Sequence, residues 1–511
     1  ITISNRKGIQ SSIAIIDAME GNTNDEKMDI LLNQTITLID QNAQFTNPDG
    51  RIVLGDPITG RLLNNYATAR MGHSVGDSIR FTRYFWEVSR MNLDWEYLQS
   101  TVPNSIYYGG RSQIIFWENE RGEMWKLAES VKHLNHSAQN WLRGKPAWGK
   151  NGISVSQMGN LPVTIYTGEI YDCNCTAIIP KHPDDIGALW QFCSSDEFHT
   201  KVRMIDQALK VTPHTLLKIP IDIGYWRKSA KEEFSDGLPE PYSNDLTQWI
   251  FEGILLGSAD PLQVAVACLL GYHWPEQESN GLEAFTDEDG IVCLMPVVGE
   301  TPAADRLRAL LQAAYGQAWS AQKQTELLAD VGFTGKSLRA WLRDGFFKQH
   351  VKLFKNRPFI WHIWDGRGDG FHALVNYHKL DAANLDRLIY TYLGDWIRLQ
   401  RDKRDLGEPG ADGRLVAALE LQEKLEAIRQ GEPPYDIYVR WKSLAEQPIG
   451  WNPDLNDGVR LNIRPFVTAG VLRSKFTIHW KKDRGKNPDG SERHNDLHYT
   501  ITEKKAARQK L

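Results

Sequence analysis

Between Arg143 and Asn160 the chain reads RGKPAWGKNGISVSQMGN. Few stretches concentrate so many groups able to meet nucleic acid. Arg143, Lys145 and Lys150 are the types that bind phosphates and guanine edges. Gln157 and Asn160 carry amides that match an adenine edge. Ser154 and Ser156 add hydroxyls, and the glycines let a loop follow a groove closely. The same composition also describes an exposed loop anchored by Trp148, and Gln157 could equally hold the backbone of its own loop. A second concentration of cations is Arg473, Lys475, Lys481, Lys482, Arg484 and Lys486, opposed by Asp483. It reads as a set of phosphate contacts or as a solvated face.

Other patterns imitate catalytic motifs and fail on particular residues. RIVLGDPITGR (51–61) puts Asp56-Pro-x-x-Gly60 after an apolar run. A glycine loop for S-adenosylmethionine would need glycine where Arg61 stands, and no strand–helix–strand pattern follows. GEPPYD (431–436) imitates the Asn-Pro-Pro-Tyr loop of amino-group DNA methyltransferases, but Glu432 replaces the Asn and a helix precedes it. No nucleotide-binding P-loop, nucleophile elbow or zinc-protease helix occurs. Cys173-x-Cys175 has no second pair at ligand spacing, so no metal is expected. His362, His372 and His378 sit among aromatic residues and read as packed histidines rather than ligands. No catalytic or cofactor-binding residue is assigned in this chain.

Composition narrows the setting. A length of 511 residues predicts two to four domains, and 41% hydrophobic residues supply ample cores. The net charge of −5 excludes a globally basic nucleic-acid binder, so any DNA face must be local. Five cysteines at irregular spacing point to a reducing compartment, the cytoplasm. No apolar run approaches the ~20 residues of a membrane span. No segment reads as a signal peptide. The chain starts at Ile1, and the text that follows reads as the continuation of a longer protein.

The elements that must position these residues follow from periodicity. Residues 11–42 show helical spacing of Ile, Leu and Met. Residues 69–88 lead through Gly72 and Gly76 into an aromatic strand. Residues 151–180 alternate as short strands joined by turns, and 184–210 have helical period with Asp184 placed to cap. SDGLPEPYSND (235–245) reads as a linker. Helices are expected at 258–275, 301–315, 335–346, near 371–402 and at 414–429, with a strand at 357–366. The fold class is α+β.

Several long phrases also resemble a known family. VGDSIRFTRYFWEV, WGKNGISVSQMGNLPVTIYTGEIYDCN, WQFCSSDEFHTKVRMIDQALKVTPHTLLKIPID, RPFIWHIWDGRGDGFHALVNYHKLD and NDGVRLNIRPF resemble, in order, the C-terminal half of large adenine-specific DNA methyltransferases. These are the type IIG restriction–modification enzymes and their PglX-like phage-defence relatives of the BREX and DISARM kind. The resemblance spans most of residues 65–485. It implies a parent that methylates adenine N6, with a Rossmann-like domain that binds S-adenosyl-L-methionine lying before Ile1. This chain would then be the recognition half, inactive alone. Residues 1–70 would link to the methyltransferase domain, 71–235 would form a mixed target-recognition domain, 236–350 a helical subdomain and 351–511 a C-terminal mixed subdomain. The implied partners are double-stranded DNA, the upstream domain and other subunits of a defence system. DNA contacts would come from Arg143, Lys145, Lys150, Ser156, Gln157, Asn160, Arg473, Lys475, Lys481 and Lys482. A second class stays open: a stand-alone module binding carbohydrate or single-stranded nucleic acid on aromatic stacking platforms, given 18 tryptophans. A solitary nuclease would require clustered carboxylates and a divalent metal.

Overall fold

The computed structural model describes residues 12–18, 21, 23–53, 57–89, 94–130, 133, 142–239, 253–273, 277, 279–432, 435, 439, 441–478 and 501–510. It is α+β, with several small sheets among many helices. The chain forms two compact units. The first comprises residues 1–81 and 94–244, the second residues 82–93 and 245–511.

At the start of the first unit the expected long helix is replaced by a strand, a short helix and a strand. Strands β1 (Ser12–Ile15) and β2 (Thr37–Asp40) pair antiparallel. Helix α1 (Asn24–Asn33) lies between them in sequence. A capping box of Thr23 and Glu26 starts that helix, and no residue of it is buried. The Ile, Leu and Met spacing therefore spans two strands and a helix whose apolar side chains stay outside a core.

The centre of the first unit is an antiparallel sheet. Its strands are β3 (Ala67–Met71), β6 (Gly152–Ser156), β7 (Val163–Tyr166) and β9 (Cys175–Pro180), in the order β3-β9-β6-β7. Between β3 and β6 in sequence come β4 (Trp95–Gln99), β5 (Gln113–Phe116) and helix α2 (Glu123–Ser130). The short strand β8 (Ile170–Tyr171) pairs parallel with β4, and β5 pairs antiparallel with β4.

Alternation decides which face each side chain takes. Ile153, Val155, Val163, Ile165 and Ile178 pack under helix α3 (Ile186–Ser194) and helix α4 (Asp196–Ile205) with Leu189, Phe192, Phe198 and Val202. Tyr166, Cys175, Ala177 and Ile179 take the opposite face with Tyr171 and Ala147. Strand β6 is thus buried on both faces, its serines filling the second one. Ser195 ends α3 and caps α4, its hydroxyl accepting from the Phe198 amide at 3.3 Å. Asp184 does not cap. Asp185 occupies the cap position of α3, and its carboxylate is taken by Arg227 of helix α5 (Ile223–Glu233), at 2.6 and 2.9 Å.

The second unit carries helix α6 (Pro261–Leu269), strand β10 (Ile291–Cys293), helix α7 (Ala303–Tyr315), strands β11 (Ile360–Trp364) and β12 (His372–Asn376), and helices α8 (Gly394–Asp405) and α9 (Ala411–Gln430). The sheet order is β10-β12-β11, antiparallel throughout. Helix was expected from about 371. Residues 372–376 are instead a fully buried central strand, and helix begins at Ala382 after the Asp381 cap. Short all-buried apolar runs carry no period that separates the two states. Among the described residues, no helix is long and apolar enough to cross a membrane.

Candidate nucleic-acid interface

The polar stretch is a hairpin, and the hairpin separates its cations. Lys150 stands just before β6 at the open end, where the Gly149 amide donates to the Gly168 carbonyl at 2.8 Å. Asn160 stands at the tip, where Ser156 donates to Pro162. Arg143 is exposed, its guanidinium 3.9 Å from the Met71 sulfur. Met71 pairs with Thr176, and Thr176 pairs with Val155. Arg143 therefore lies at the tip end of the sheet, while Lys150 lies at the other. Lys145 is exposed and pairs with Glu120 at 2.7 Å, an ion pair of a kind that contributes little in water.

The tip is rigid. Gly159 has φ +65°, and a Cβ there would meet nothing within 4 Å. Leu161 also takes a left-handed φ of +54°, which is costly for a leucine. Its side chain plugs the core beside Phe198 and Val202 and holds the strained turn in place. Gln157 is fully buried. Its amide nitrogen Nε2 donates to the Cys175 carbonyl at 3.1 Å and to the Thr176 hydroxyl at 2.9 Å. Its backbone donates to Asn174 and accepts from Val211. Of the two roles open to Gln157 in the sequence, this geometry carries the one in which it holds backbone. Ser156 and Ser154 are also buried, and the Ser156 hydroxyl accepts from the Val102 amide at 3.2 Å. Neither Ser156 nor Gln157 reaches the surface expected of a direct DNA contact, because β6 is covered on both faces and Gln157, just after it, is bonded inward.

Three residues that local sequence did not mark complete the edge. Arg203 donates to the Gly159 carbonyl at 2.6 Å and to Ala208 at 2.7 Å. Lys210 bridges to Met158 through the backbone. The Lys210 ammonium donates to the Cys173 carbonyl at 3.2 Å and to the Asn174 side chain at 3.3 Å. Asp172, in the same turn, is occupied by the Ser100 hydroxyl and the Asn174 amide, each at 2.6 Å. The edge thus gathers Met158, Asn160, Asn174, Leu209 and Lys210, all exposed, over a scaffold of Gln157, Arg203 and Asp172. Only the juxtaposition of three segments reveals it. The Met-Gly-Asn turn is the local signal that points there.

Replacing Gln157 by Leu tests the scaffold. It takes one donor from the Cys175 carbonyl, which keeps the Gly72 amide, and leaves the buried Thr176 hydroxyl without the Gln157 amide. Stability is expected to fall by about 1–3 kcal/mol, read from urea unfolding of the first unit.

The second cluster is only partly described. Arg473 stacks 4.2 Å from the Trp364 ring centroid and donates to Asp344 at 3.2 Å. Arg343 and then Arg473 hold the Asp344 carboxyl below its usual range. Lys475 is exposed. Lys481, Lys482, Arg484 and Lys486 lie outside the described residues.

The imitation motifs take structural roles. The Arg61 carbonyl accepts from Ile221, and Leu62 bridges to Pro220. Asp56 lies outside the described residues. Gly431 ends α9 in a left-handed cap, and the exposed Glu432 donates its amide back to Ala427 at 3.1 Å. Pro433, Pro434 and Asp436 lie outside the described residues. Cys175 is buried in β9, and burial pushes its thiol far above the ordinary range. The three histidines are bonded into the second unit: His362 to His372 at 3.0 Å, His372 to the Arg367 carbonyl at 2.8 Å, and His378 to the Trp86 carbonyl at 3.0 Å. Among the described residues, no three His, Cys, Asp or Glu side chains are grouped to hold a metal.

Comparison with known proteins gives local likeness. No family profile matches the chain. It is 30% identical over 140 residues to the adenine-specific methyltransferase BrxX of Escherichia coli O9:H4 (strain HS), a match covering 26% of this chain and 11% of that protein. It is 37% identical over 59 residues to the adenine-specific methyltransferase PglX of Lacticaseibacillus casei (strain Zhang), covering 11% of this chain and 5% of that protein. The matched stretches are thus a small part of both relatives. Among solved structures, the type IIL restriction–modification enzyme MmeI in complex with DNA aligns with 68% of this chain and 42% of its own. The identity is 12% and the TM-score 0.26, too low to carry an argument about fold. At the coarse level, then, the chain is similar to adenine-specific methyltransferases.

Proposed function

We propose that this chain is the DNA sequence-recognition region of an S-adenosylmethionine-dependent N6-adenine methyltransferase from a restriction–modification or phage-defence system. In this reading the methyl donor is bound by a domain outside the chain. The observation that carries the proposal is the tip end of the central sheet. There Arg143, Lys210, Asn160 and Asn174 are exposed at one end of a rigid scaffold, and the nearby Asp172 is already bonded. Cations beside exposed amides suit phosphates and base edges together. The likeness to BrxX and PglX supports the same class.

The burial of the described tryptophans favours this reading over the aromatic-platform alternative. Among the described tryptophans none is exposed: Trp341, Trp361 and Trp451 are fully buried, and Trp148, Trp226 and Trp364 are half-buried against neighbours.

Titration of a fluorescent duplex with the 511-residue chain is the test. Affinity is expected to fall steeply as salt rises. Arg143→Ala and Lys210→Ala should each reduce the salt slope by about one. Labelled S-adenosylmethionine should transfer no methyl group to DNA with this chain alone. Salt-independent affinity, or none at low salt, would remove the DNA reading.

A further inference from the structure

We infer that the tip Met158-Gly159-Asn160 reads one A·T base pair in the major groove, with Asn160 on the adenine edge and Met158 on the thymine methyl. The inference rests on the DNA-binding reading above and deepens it.

The chemistry follows from what the tip presents and what it lacks. Asn160 is exposed, and among the described residues its side-chain amide has no partner, so its donor and acceptor are both free. An amide can donate to adenine N7 and accept from adenine N6 at once. Asn174 cannot do the same, because Lys210 already occupies its side-chain oxygen. Met158 stands two residues away and is 46% exposed, a large apolar side chain on a polar edge. In an A·T pair the thymine methyl lies on the same groove floor as the adenine edge, one group beyond thymine O4, so one loop can meet both. A G·C pair offers no methyl there. Its guanine edge has two acceptors, which an arginine or lysine fork meets better than an amide.

Geometry supports presentation of the tip. Gly159 has a positive φ and open space around it, so the backbone can approach DNA closely. The turn is held from beneath by Arg203 on the Gly159 carbonyl and by Leu161 in the core. Base reading needs such support, since a loop that must order on binding loses affinity. Lys210, bridged to Met158, places a cation beside the tip for a flanking phosphate.

Selection of bound duplexes from a randomised pool by the 511-residue chain separates the outcomes. The wild type should enrich a motif with one invariant A·T position. Asn160→Ala should relax that position alone, with about tenfold less discrimination against G·C. Met158→Ala should lower the preference for thymine over uracil at the same pair, because uracil lacks the methyl. Lys210→Ala should weaken binding to all sequences without changing the motif. A motif unchanged by Asn160→Ala and Met158→Ala overturns the inference and leaves DNA binding intact. Failure of the wild type to enrich any duplex at low salt overturns both. Thermal melts of Asn160→Ala, expected to match the wild type because the side chain is exposed and unbonded, exclude misfolding as the cause.

Discussion

Acidification from pH 7.5 to 5 is expected to unfold the second unit. Three histidines there, His350, His362 and His372, are buried as neutral rings, and His378 is half-buried. Burial lowers His350 to about 3 and His372 and His378 to about 4, and it lowers His362 well below its usual 6.5. For the three buried rings the hydrogen bonds explain why a second proton is excluded. His350 donates from Nδ1 to Gln263, while its Nε2 accepts the Ile360 amide at 3.2 Å. His372 donates from Nε2 to the Arg367 carbonyl and accepts the His362 N–H on Nδ1. His362 keeps a lone pair on Nδ1, buried without a partner. A second proton on any of these rings would face another donor or an apolar wall. An unfolded chain, by contrast, takes up protons below about pH 6.5. The folded pKa values are depressed, so their stabilising contribution is full above about 6.5 and is lost as the pH falls toward 4. At pH 5 the loss is about 2 kcal/mol per histidine, and four together exceed the margin of many domains. Hydrogen exchange of peptides from β11 and β12 reads it directly. Equal protection at pH 7.5 and pH 5 would show that these rings protonate in the folded state.

What the sequence revealed depended on whether signals were local. The hairpin of β6 and β7 was legible because Ile153 and Val155 alternate with Ser154 and Ser156. The long helix α9 was legible because Leu415, Ala418, Leu421, Leu425 and Ile428 recur at helical spacing and are buried. Residues 11–42 misled because Ile, Leu and Met at helical spacing imply a buried stripe, and α1 buries none. The strand at His372 was hidden because both of its faces are buried, so its residues show no alternation of exposure. At the interface, residue type located the tip but could not assign burial. Gln157 and Asn160 carry the same chemistry three residues apart, and only the sheet turns one inward and leaves the other exposed. Lys210 had no local mark at all. It joins the edge because the chain returns after α4 to pair with Met158.

The Gly72→Ala substitution should disable the interface more completely than any change at its surface. Gly72 follows β3, its amide donating to the Cys175 carbonyl at 3.2 Å, and the next residue, His73, donates to Tyr171 at 2.6 Å. A Cβ at Gly72 would overlap the backbone carbonyls of Tyr171 and Asp172. Backbone cannot rotate away as a flexible side chain does, so β3 or the 171–175 turn must move. That turn carries Asn174, whose carbonyl holds Gln157, and Cys173, whose carbonyl holds Lys210. A shift there propagates to the tip through bonds already at full length. Overpacking of this kind costs about 1–3 kcal/mol. The first unit should therefore melt earlier, and the bound-duplex motif should blur at every position rather than one. Gly159→Ala is the matched control. Its φ of +65° makes alanine strained, but the surrounding space is open, so the cost should be about 1 kcal/mol and the blurring local. Equal effects of the two substitutions would mean that the β3 end does not support the tip. A larger loss from Gly72→Ala, confined to the first unit, would identify the close approach of β3 to the 171–175 turn as the foundation of the reading edge.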